Sequence, residues 1–551
     1  MYFKDKVIYQ IYPKSFYDSD NDGYGNLKGV TEKLDYFTFL GVDYIWLSPF
    51  CVSPQNDNGY DTEDYLNIDP MYGTMEDFEE LVKEANKRNI QIMMDLVLNH
   101  TSTQHEWFQK ALQGDKKYQK YYFFEKSNKN GTLPTNWVSY FGGDVWEYAK
   151  ELDMYYLHIF DKTQADLNWD NPEVREEVAN IVQYWIDKGV TGFRLDVINL
   201  ISKTLPFRND YEGVGKKYYA DGPNVHKYLK ELKKKTFGKA NILTVGEMCS
   251  TAMEHCFKYA GEKEEELAMV FNFHHLKVDY KNGNKWSLMP FDFQKLKDLL
   301  FNWQLGMQDH QAWNALFLNN HDQPRAVSRY GNDTRYWNES AKMLATAIQL
   351  LQGTPYIYQG EEIGMTNAYF TNIEQYRDVE STNYYQILKD KGIPEKEVYK
   401  ILQERSRDNS RTPMQWNSKE NAGFTKGKPW IEVNKNYTNI NVENSMKDKE
   451  SILYHYRRLI QLRKQYPIFN EGEILPLARE DKQIFAYKRR LDEQEAIIIN
   501  NFYGSTTTFT LDRHEKYQCI LTNYNDTKID NIMHLRPYES IVLITIKEAK
   551  E

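Results

Sequence analysis

Short apolar segments alternate with amphipathic segments from the start of the chain to about residue 360, and this alternation is the feature that most constrains the fold. The apolar segments have the length of β-strands, and the segments between them carry apolar residues at helical spacing. Apolar strands separated by helices form a parallel sheet that is buried on both faces. Eight such units in one chain predict an α/β fold, a (β/α)₈ or TIM barrel. The predicted strands are residues 7–13, 44–49, 91–97, 192–197, 241–247, 268–273, 314–320 and 355–360.

Two parts of the chain do not follow this alternation. More than seventy residues, rich in Tyr, Phe, Trp, Gly and Asn, separate the third strand from the next predicted helix, and an insertion of this length is usually functional. After about residue 470, apolar strands follow one another with turn residues between them, which predicts an antiparallel β domain. The predicted domains are a barrel at 1–100 and 172–469, an inserted domain at 101–171, and a C-terminal β-sandwich at 470–551.

Composition and charge exclude several classes of partner. The formal net charge is −10, which argues against extensive contact with nucleic acid or anionic membranes. The N-terminus has no apolar signal-peptide core, and no run of about 18 apolar residues occurs. Four cysteines lack the spacing of a zinc site or a disulfide framework, which is typical of a reducing compartment. We therefore expect a cytoplasmic protein without nucleic-acid or membrane partners; the sequence does not indicate an oligomeric state.

Polar side chains interrupt the apolar strands at their carboxyl ends, which is where barrel enzymes place their active sites. A single charge in such a position is often structural, for example in a buried ion pair between Arg194 and Asp95. Four strand ends that all direct carboxylates or imidazoles to one mouth indicate a functional site instead. The residues concerned are Asp95, Asn99, His100, Arg194, Asp196, Glu247, His321 and Asp322.

These residue types favour glycoside hydrolysis. The sequence has no Cys or His set with zinc spacing, no Gly-rich phosphate loop after a strand, and no serine in a nucleophile elbow. Convergent carboxylates without a redox cofactor suit a mechanism in which one carboxylate attacks the anomeric carbon and a second protonates the leaving oxygen. No cofactor is predicted for catalysis. An aromatic content of 15% also suits a sugar cleft, although most aromatic side chains fill protein cores.

Five segments, in this order, make the sequence resemble the α-amylase family of glycoside hydrolases: DLVLNH, QADLNW, GFRLDVIN, TVGEM and NNHDQPR. The resemblance runs from about residue 5 to the end, and it implies a barrel, an insertion after the third strand and a C-terminal β domain. It also implies that Asp196 is the nucleophile of a retaining mechanism, Glu247 the general acid/base, and Asp322 a carboxylate that holds the distorted sugar.

The same resemblance implies a pocket for one terminal glucose unit. Arg194 would orient Asp196, His100 and His321 would bind sugar hydroxyls, and Tyr60 would stack beneath the ring. Asp57 and Arg411 resemble the pair that closes the pocket, which favours an exo-acting glucosidase. Valine directly after the nucleophile, here Val197, is similar to the residue found in family members that prefer links other than α-1,4. The remaining predicted pocket residues are Phe141, Phe160 and Gln164.

Within the family, the chain is most similar to the phospho-α-glucosidases that split trehalose 6-phosphate into glucose and glucose 6-phosphate. Lys14 stands where the related oligo-1,6-glucosidases usually have arginine, and segment 271–286 is one that they lack. Lysines on flexible stems are good point-charge partners for phosphate, although a lysine cluster often forms a solvated surface. The predicted phosphate ligands are Lys277, Lys285, His275 and Lys14.

The loop after the first strand, DSDNDGYGN, resembles the calcium loop of many family members. Its alternate oxygen-bearing residues could surround a structural Ca²⁺. The family usually has aspartate at the last position, where this chain has asparagine, and an acidic surface turn would give the same pattern. The predicted ligands are Asp18, Asp20, Asp22, Asn26 and the carbonyl of Tyr24.

Three other functions are compatible with parts of this sequence. An oligo-1,6-glucosidase that acts on neutral sugars, and a sucrose-isomerase-like transglucosidase, would use the same three carboxylates. Amino-acid transporter heavy chains carry a related ectodomain without enzyme activity. Those chains have a membrane span and lack catalytic carboxylates, and this sequence has neither property. We therefore expect a hydrolase.

Overall fold

The structure is a computed structural model that describes residues 3–239, 241–264, 266–511 and 516–546. Eight parallel strands form the central sheet, in the order β6-β5-β4-β3-β2-β1-β8-β7. A parallel bridge between Val270 and Asn314 connects its two edges, so the sheet closes into the predicted barrel. The strands are β1 (Ile8–Ile11), β2 (Tyr44–Leu47), β3 (Gln91–Val97), β4 (Gly192–Asp196), β5 (Leu243–Met248), β6 (Met269–Asn272), β7 (Ala315–Leu316) and β8 (Thr354–Tyr358).

Eight main helices cover the outside of the barrel. The Thr74 side chain and Asp77 form a reciprocal capping box at the start of α2. Asn171 caps α3, Pro172 occupies its first turn, and Gly189 follows its end with φ +95°, a conformation that glycine adopts at least cost. The helices are α1 (Leu34–Leu40), α2 (Met75–Lys87), α3 (Pro172–Asp187), α4 (Val225–Lys235), α5 (Met253–Ala260), α6 (Phe293–Asp309), α7 (Trp337–Gln349) and α8 (Ile452–Gln465).

Further helices lie in the segments that connect these strands and helices. The helices Val379–Asp390 and Glu395–Arg405 follow β8 and pack in an apolar cluster with Trp286 and Phe370, and the short helix Asp408–Arg411 follows them. The other short helices are Leu27–Glu32, Glu106–Leu112, Lys116–Gln119, Lys216–Tyr219, Ala326–Arg329, Val442–Lys447 and Ile468–Glu471.

The insertion after β3 contains a small antiparallel sheet in the order Phe124–Glu125, Met154–Leu157, Trp146–Ala149. A separate antiparallel pair, His100–Ser102 with Gln164–Asp166, joins the insertion to the end of β3. Residues of this region form a second apolar cluster that includes Trp137, Trp146 and Val197, so the insertion packs directly behind the loop that follows β4.

The C-terminal domain is antiparallel, as predicted. One sheet has the order Glu473–Leu477, Ile484–Leu491, Gln494–Asn501, Ser540–Thr545, Tyr517–Thr522, and a second pairs Thr507–Thr510 with Ile532–Leu535. The buried Arg489 fastens this domain to the barrel by donating hydrogen bonds to the carbonyl oxygens of Leu350 (2.7 Å) and Phe469 (2.9 Å). The predicted domain ends at 551, and its residues 512–515 and 547–551 lie outside the described residues.

Among the described residues, no helix combines sufficient length with sufficient apolar character to span a membrane.

Candidate active site

The barrel aligns the carboxyl ends of β3, β4 and β5, and this alignment assembles the candidate carboxylates. Arg194 of β4 pairs in register with Asp95 of β3 on one side and with Val245 of β5 on the other. Asp196 is the last residue of β4, and Glu247 lies one residue before the end of β5. Alternate residues of a strand point the same way, so Arg194 and Asp196 both face the barrel axis.

Arg194 is the centre of the charge network at the base of the site. Its Nη1 atom lies 2.6 Å from Asp196 Oδ1 and 2.7 Å from Asp95 Oδ1, and its Nη2 atom lies 2.5 Å from Glu247 Oε2. The guanidinium is 1% exposed, so it binds these carboxylates from behind and does not line the open pocket. Because Asp196 and Glu247 contact one guanidinium, their carboxyl groups are held near one another, which favours the short carboxyl separation of direct nucleophilic attack.

Burial raises the pKa values of Asp196 and Glu247. It raises the pKa of Glu247 to about 7, against the effect of Arg194, and the nearby Asp196 and Asp322 raise it further. Burial also raises the pKa of Asp196, again opposed by Arg194. Two carboxyl groups this close do not both ionise easily, so the pair favours one proton at neutral pH. An ionised Asp196 beside a protonated Glu247 is the state needed for attack and leaving-group protonation.

Val197 has a strained backbone directly after Asp196. Its φ of +37° lies in the left-handed region, which is unusual for a β-branched residue and is typical of functional sites. In this conformation its N–H donates to Glu247 Oε2 at 3.2 Å. The strain therefore contributes to holding the two carboxyl groups together.

Asp322 follows β7 on the opposite side of the pocket. Arg411 Nη2 lies 2.8 Å and Arg407 Nη1 3.2 Å from its Oδ1 atom, and His321 Nε2 lies 3.2 Å from Oδ2. Although burial opposes ionisation, these three groups lower the pKa of Asp322 well below its ordinary value. Asp322 is therefore a fixed negative charge facing the other two carboxyls, which suits an oxocarbenium-like transition state.

An open cavity of about 790 Å³ lies in front of these carboxylates, and most of the predicted sugar-binding residues line it. Tyr60 stacks on His321 with ring centroids 5.1 Å apart and donates its hydroxyl to Asp95 at 2.9 Å. His321 itself lies beneath Tyr60 and is fully buried. The predicted residues that line the cavity are Asp57, Tyr60, His100, Phe141, Phe160, Gln164, Asp196, Glu247 and Asp322.

The arginine that closes the pocket differs from the prediction. Arg407, not Arg411, pairs with Asp57, with Nη2 3.2 Å from Oδ1, and lies over the ring of Phe141 at 5.1 Å. Arg411 is fully buried and donates from Nε to the carbonyl of His321. Both arginines belong to the motif RDNSR, four residues apart around the short helix Asp408–Arg411, so one turn separates the residue at the pocket from the residue behind it.

A buried lysine connects the insertion to the barrel beside this pocket. Lys203 Nζ lies 2.6 Å from Asp166 Oδ2, and it donates to Asn99 Oδ1 at 2.8 Å and to the carbonyl of Leu200 at 2.7 Å. Its side chain and that of Asp166 are wholly buried. The lysine thus fixes the strand that carries Gln164 against the end of β3, next to His100.

The sequence matches two models of known protein families. The α-amylase catalytic-domain model matches residues 10–472, and the model of the SusG C-terminal domain of α-amylases matches residues 484–542. The chain belongs to the α-amylase family. The glycoside-hydrolase chemistry inferred from the carboxylates is therefore that of its family, and the predicted fold class is confirmed.

Individual relatives cover the chain almost completely. Trehalose-6-phosphate hydrolase of Bacillus subtilis is 54% identical over 98% of both chains, and the oligo-1,6-glucosidase of Parageobacillus thermoglucosidasius is 46% identical over 98% of both. The crystal structure of Bacillus licheniformis trehalose-6-phosphate hydrolase is 51% identical, covers 99% of this chain and 100% of its own, and superposes with a TM-score of 0.96.

The four predicted phosphate ligands have different environments in this family member. His275 is buried and its Nε2 lies 3.0 Å from the carbonyl oxygen of Phe317, so it faces away from the pocket. Lys14 is also buried, bonded to Asn58 at 3.1 Å and 4.5 Å above the ring of Trp430. Burial lowers the pKa of Lys14 to about 8. Neither residue lines the cavity, so the prediction that they bind phosphate is not supported by their position.

Lys285 lines the cavity, whereas Lys277, like Lys14 and His275, is not among its lining residues. Lys285 lines the wall and forms a 2.5 Å ion pair with Glu380. Burial lowers the pKa of the Lys277 ammonium group, and an electrostatic interaction with Cys249, which lines the wall, opposes this shift. Within the described part of the chain, Lys277 has no ion-pair partner. The charge of Lys285 is thus paired with that of Glu380, whereas the charge of Lys277 is unpaired among the described residues.

Sequence analysis missed a third lysine at this wall. Lys216 lies 4.9 Å over the ring of the cavity-lining Tyr140, and burial, together with the charge of Lys277, lowers the pKa of its ammonium group. It too lacks an ion-pair partner among residues 3–239, 241–264, 266–511 and 516–546. We call Lys216 and Lys277 the lysine pair. Lys216 stands in the sequence KKYY, which gives no signal to distinguish it from its surface neighbour Lys217.

The predicted calcium loop is closed by its own hydrogen bonds. Asp18 accepts the backbone N–H groups of Asn21 (2.7 Å) and Gly23 (2.8 Å), and Asn26 caps the following helix by accepting from Gly29 at 2.8 Å. In the described ranges, no three His, Cys, Asp or Glu side chains lie close enough to hold a metal ion. Calcium binding by this loop, whose predicted ligands also include the Asn26 side chain and the Tyr24 carbonyl, remains a prediction from the sequence motif.

A melting experiment tests that prediction. A native-state ligand at about a hundred times its Kd stabilises by about 2.7 kcal/mol, so a calcium-bound loop requires Tm to fall when a chelator is added at matched ionic strength. Calorimetry with and without chelator, on the wild type and on Asp22→Ala, measures the effect. A fall in the wild type that is absent in the variant supports calcium in this loop, and identical curves for the wild type exclude it.

Proposed function

We propose that this protein hydrolyses trehalose 6-phosphate to glucose and glucose 6-phosphate with retention of anomeric configuration. Asp196 attacks the anomeric carbon of the unphosphorylated glucose while Glu247 protonates the glycosidic oxygen, and the glucosyl–Asp196 ester forms as glucose 6-phosphate leaves. Water then attacks the ester, Glu247 takes its proton, and glucose is released. The shared contact of both carboxyls with Arg194 supports this direct mechanism.

The lysine pair is the observation that carries the choice of substrate. The cavity is lined by the carboxylates of Asp57, Asp196, Glu247, Asp322 and Glu380, in a chain of net charge −10. Such a pocket repels an anionic substrate unless cations on its wall compensate. Lys216 and Lys277 supply two ammonium groups that both interact electrostatically with the cavity-lining Cys249, and lysine suits phosphate as a point charge. The 54% identical relative named trehalose-6-phosphate hydrolase supports the same substrate.

A cytoplasmic location belongs to this proposal. All four cysteines are free, as is typical of a reducing compartment. A phosphorylated disaccharide is also an intracellular class of substrate, because its charge prevents passive passage through a membrane.

One competing function has specific support. A relative named oligo-1,6-glucosidase is 46% identical over 98% of the chain, and its substrate would need the same glucose pocket without a phosphate site. In that case the lysine pair would have no ligand to neutralise. The two unpaired ammonium groups therefore favour the phosphorylated substrate.

Comparing substrates of the purified protein decides between these functions. We expect kcat/KM for trehalose 6-phosphate to exceed that for trehalose by about tenfold to hundredfold or more, because one charge-assisted hydrogen bond contributes about 1.5–3 kcal/mol. Isomaltose is measured in parallel under the same conditions. Equal values for the two trehaloses would contradict a phosphate site, and a preference for isomaltose would establish the oligo-1,6-glucosidase function instead.

A further inference from the structure

Asn199 is a buried side chain, three residues after Asp196, that the proposed reaction leaves without a role. It lies in the short 3₁₀ helix Ile198–Leu200 that follows β4. Its Nδ2 atom donates to the carbonyl oxygen of Cys249 at 2.8 Å, and its Oδ1 atom accepts the backbone N–H of Cys249 at 2.9 Å. One side-chain amide therefore pairs with both polar backbone groups of a single residue, as a neighbouring strand would. We call these two hydrogen bonds the amide link.

The amide link continues the contact between β4 and β5 beyond the two strands. Leu195 lies opposite Gly246 in the strand register, and Asp196 and Glu247 come next in their strands. The amide link then joins the turn after β4 to the first residue after β5. The two carboxyl-bearing residues thus lie between the strand ladder on one side and the amide link on the other.

The turn that carries Asn199 also contacts the carboxyl group of Glu247 directly. The backbone N–H of Val197, two residues before Asn199, donates to Glu247 Oε2 at 3.2 Å. The amide link holds the backbone two residues after Glu247. Because one turn binds both the carboxyl group and the following backbone of Glu247, a shift of this turn would move Glu247 relative to Asp196.

Two further residues fix the orientation of the Asn199 amide. Asp221 Oδ1 lies 3.2 Å from Asn199 Nδ2, and it also accepts the hydroxyl of Tyr259 at 2.7 Å. The carbonyl oxygen of Asn199 accepts the backbone N–H of Asp221 at 2.9 Å. An ionised carboxylate only accepts hydrogen bonds, so Asp221 selects the orientation in which the NH₂ group of the amide faces it. In that orientation the amide oxygen is directed to the N–H of Cys249.

We infer that Asn199 is a positioning residue for the general acid Glu247, and that Asp221 acts through Asn199. This inference rests on the retaining mechanism of the proposed function and deepens it. Proton donation requires a heavy-atom distance of about 2.6–3.2 Å. A displacement of about 1 Å, caused by a change away from the reacting atoms, can lower a rate about a hundredfold. The amide link holds Glu247 in the position from which it protonates the glycosidic oxygen.

Aryl α-glucosides with leaving groups of different pKa test this role. We measure kcat/KM for dinitrophenyl, mononitrophenyl and unsubstituted phenyl α-glucosides on the wild type, Asn199→Ala, Asp221→Asn and the double variant. Glu247→Gln is measured in the same series as the reference for lost proton donation. All three substrates are neutral, so the result does not depend on phosphate recognition.

A buried asparagine of the C-terminal domain provides the matched control. The Asn500 amide also joins neighbouring strands, because it donates to the carbonyl oxygen of Phe485 at 3.0 Å and accepts the hydroxyl of Ser540 at 2.8 Å. Asn500→Ala should lower the melting temperature and keep the wild-type dependence on the leaving group. The melting temperature of every variant is measured alongside its activity.

We expect Asn199→Ala to lower kcat/KM about tenfold to hundredfold for the phenyl glucoside and much less for the dinitrophenyl glucoside, because only the phenyl leaving group depends on protonation. Asp221→Asn should show the same pattern with a smaller loss. Adding Asp221→Asn to Asn199→Ala should cause little further loss, since the two residues act in one chain of hydrogen bonds.

Equal losses on all three glucosides in Asn199→Ala and Asp221→Asn would overturn the inference, because a residue that only supports the fold affects every substrate alike. Asp221→Asn preserves the side-chain shape, and it decides the question where Asn199→Ala does not fold. A steep leaving-group dependence in Glu247→Gln alone refutes the positioning role and leaves the proposed mechanism intact. A flat dependence in Glu247→Gln refutes the acid role of Glu247, and with it both the mechanism and the inference.

Discussion

Replacing Asp196 with alanine is expected to lower kcat on an aryl α-glucoside by on the order of 10⁴-fold or more, the size of effect that follows loss of the nucleophile in other covalent mechanisms. Its carboxylate is held 2.6 Å from Arg194 at the end of β4, facing the cavity. Glu247→Gln should cause a comparable loss for poor leaving groups. It should cost much less for a phenol of low pKa, because such a group leaves without protonation.

Product analysis distinguishes a lost nucleophile from a damaged fold. Azide added to Asp196→Ala should enter the space left by the carboxylate and give β-glucosyl azide, whereas the wild type should release α-glucose first. Both products are identified by NMR. Glu361→Gln is the control, because Glu361 is a half-buried carboxyl outside the cavity that accepts a 2.6 Å hydrogen bond from Tyr456. Near-wild-type activity in Asp196→Ala, or β-glucose as the first wild-type product, would contradict the assignment.

Removal of both members of the lysine pair is expected to have the second largest effect. Each charge-assisted contact contributes about 1.5–3 kcal/mol, so Lys216→Ala and Lys277→Ala should each lower kcat/KM for trehalose 6-phosphate about tenfold to hundredfold. The double variant should lose about 10²- to 10⁴-fold if the two contributions add. Hydrolysis of a neutral aryl α-glucoside should fall much less, because that substrate has no phosphate.

The adjacent lysine provides a close control for this measurement. Lys217 is the next residue, but it is paired with Asp210 at 3.0 Å and Glu212 at 2.9 Å on the surface. Lys217→Ala should therefore retain activity on both substrates. Equal losses on the phosphorylated and neutral substrates in the lysine-pair variants would mean that these lysines support the pocket structure and do not recognise phosphate.

The strands and the base of the site were predictable because their signals are local. Each of the eight predicted strands overlaps an observed one, since a buried strand must be apolar along its whole length. The carboxyl ends of neighbouring parallel strands lie at the same end of a barrel. The proximity of Asp196 and Glu247 could therefore be predicted from the strand positions alone. The motif resemblance assigned their individual roles.

The pocket wall was less predictable because it depends on how distant loops meet. Arg407 and Arg411 stand in one motif, and only the geometry of the short helix shows which of them reaches Asp57. His275 was predicted to bind phosphate together with Lys277, but its ring nitrogen Nε2 faces the carbonyl oxygen of Phe317. Glu380 lies 95 residues from Lys285, and nothing in either local sequence indicates their pairing.

The buried Lys203 has a consequence for how the glucose pocket responds to its surroundings. Its ammonium group lies among the oxygen atoms of Asn99, Asp166 and Leu200. These are the kinds of ligand that a bound metal ion attracts. A cation that is part of the polypeptide is always present at one per molecule and does not exchange with the medium. The insertion should therefore keep its position beside His100 at any concentration of dissolved metal. A change of activity with metal concentration would have to come from another part of the enzyme.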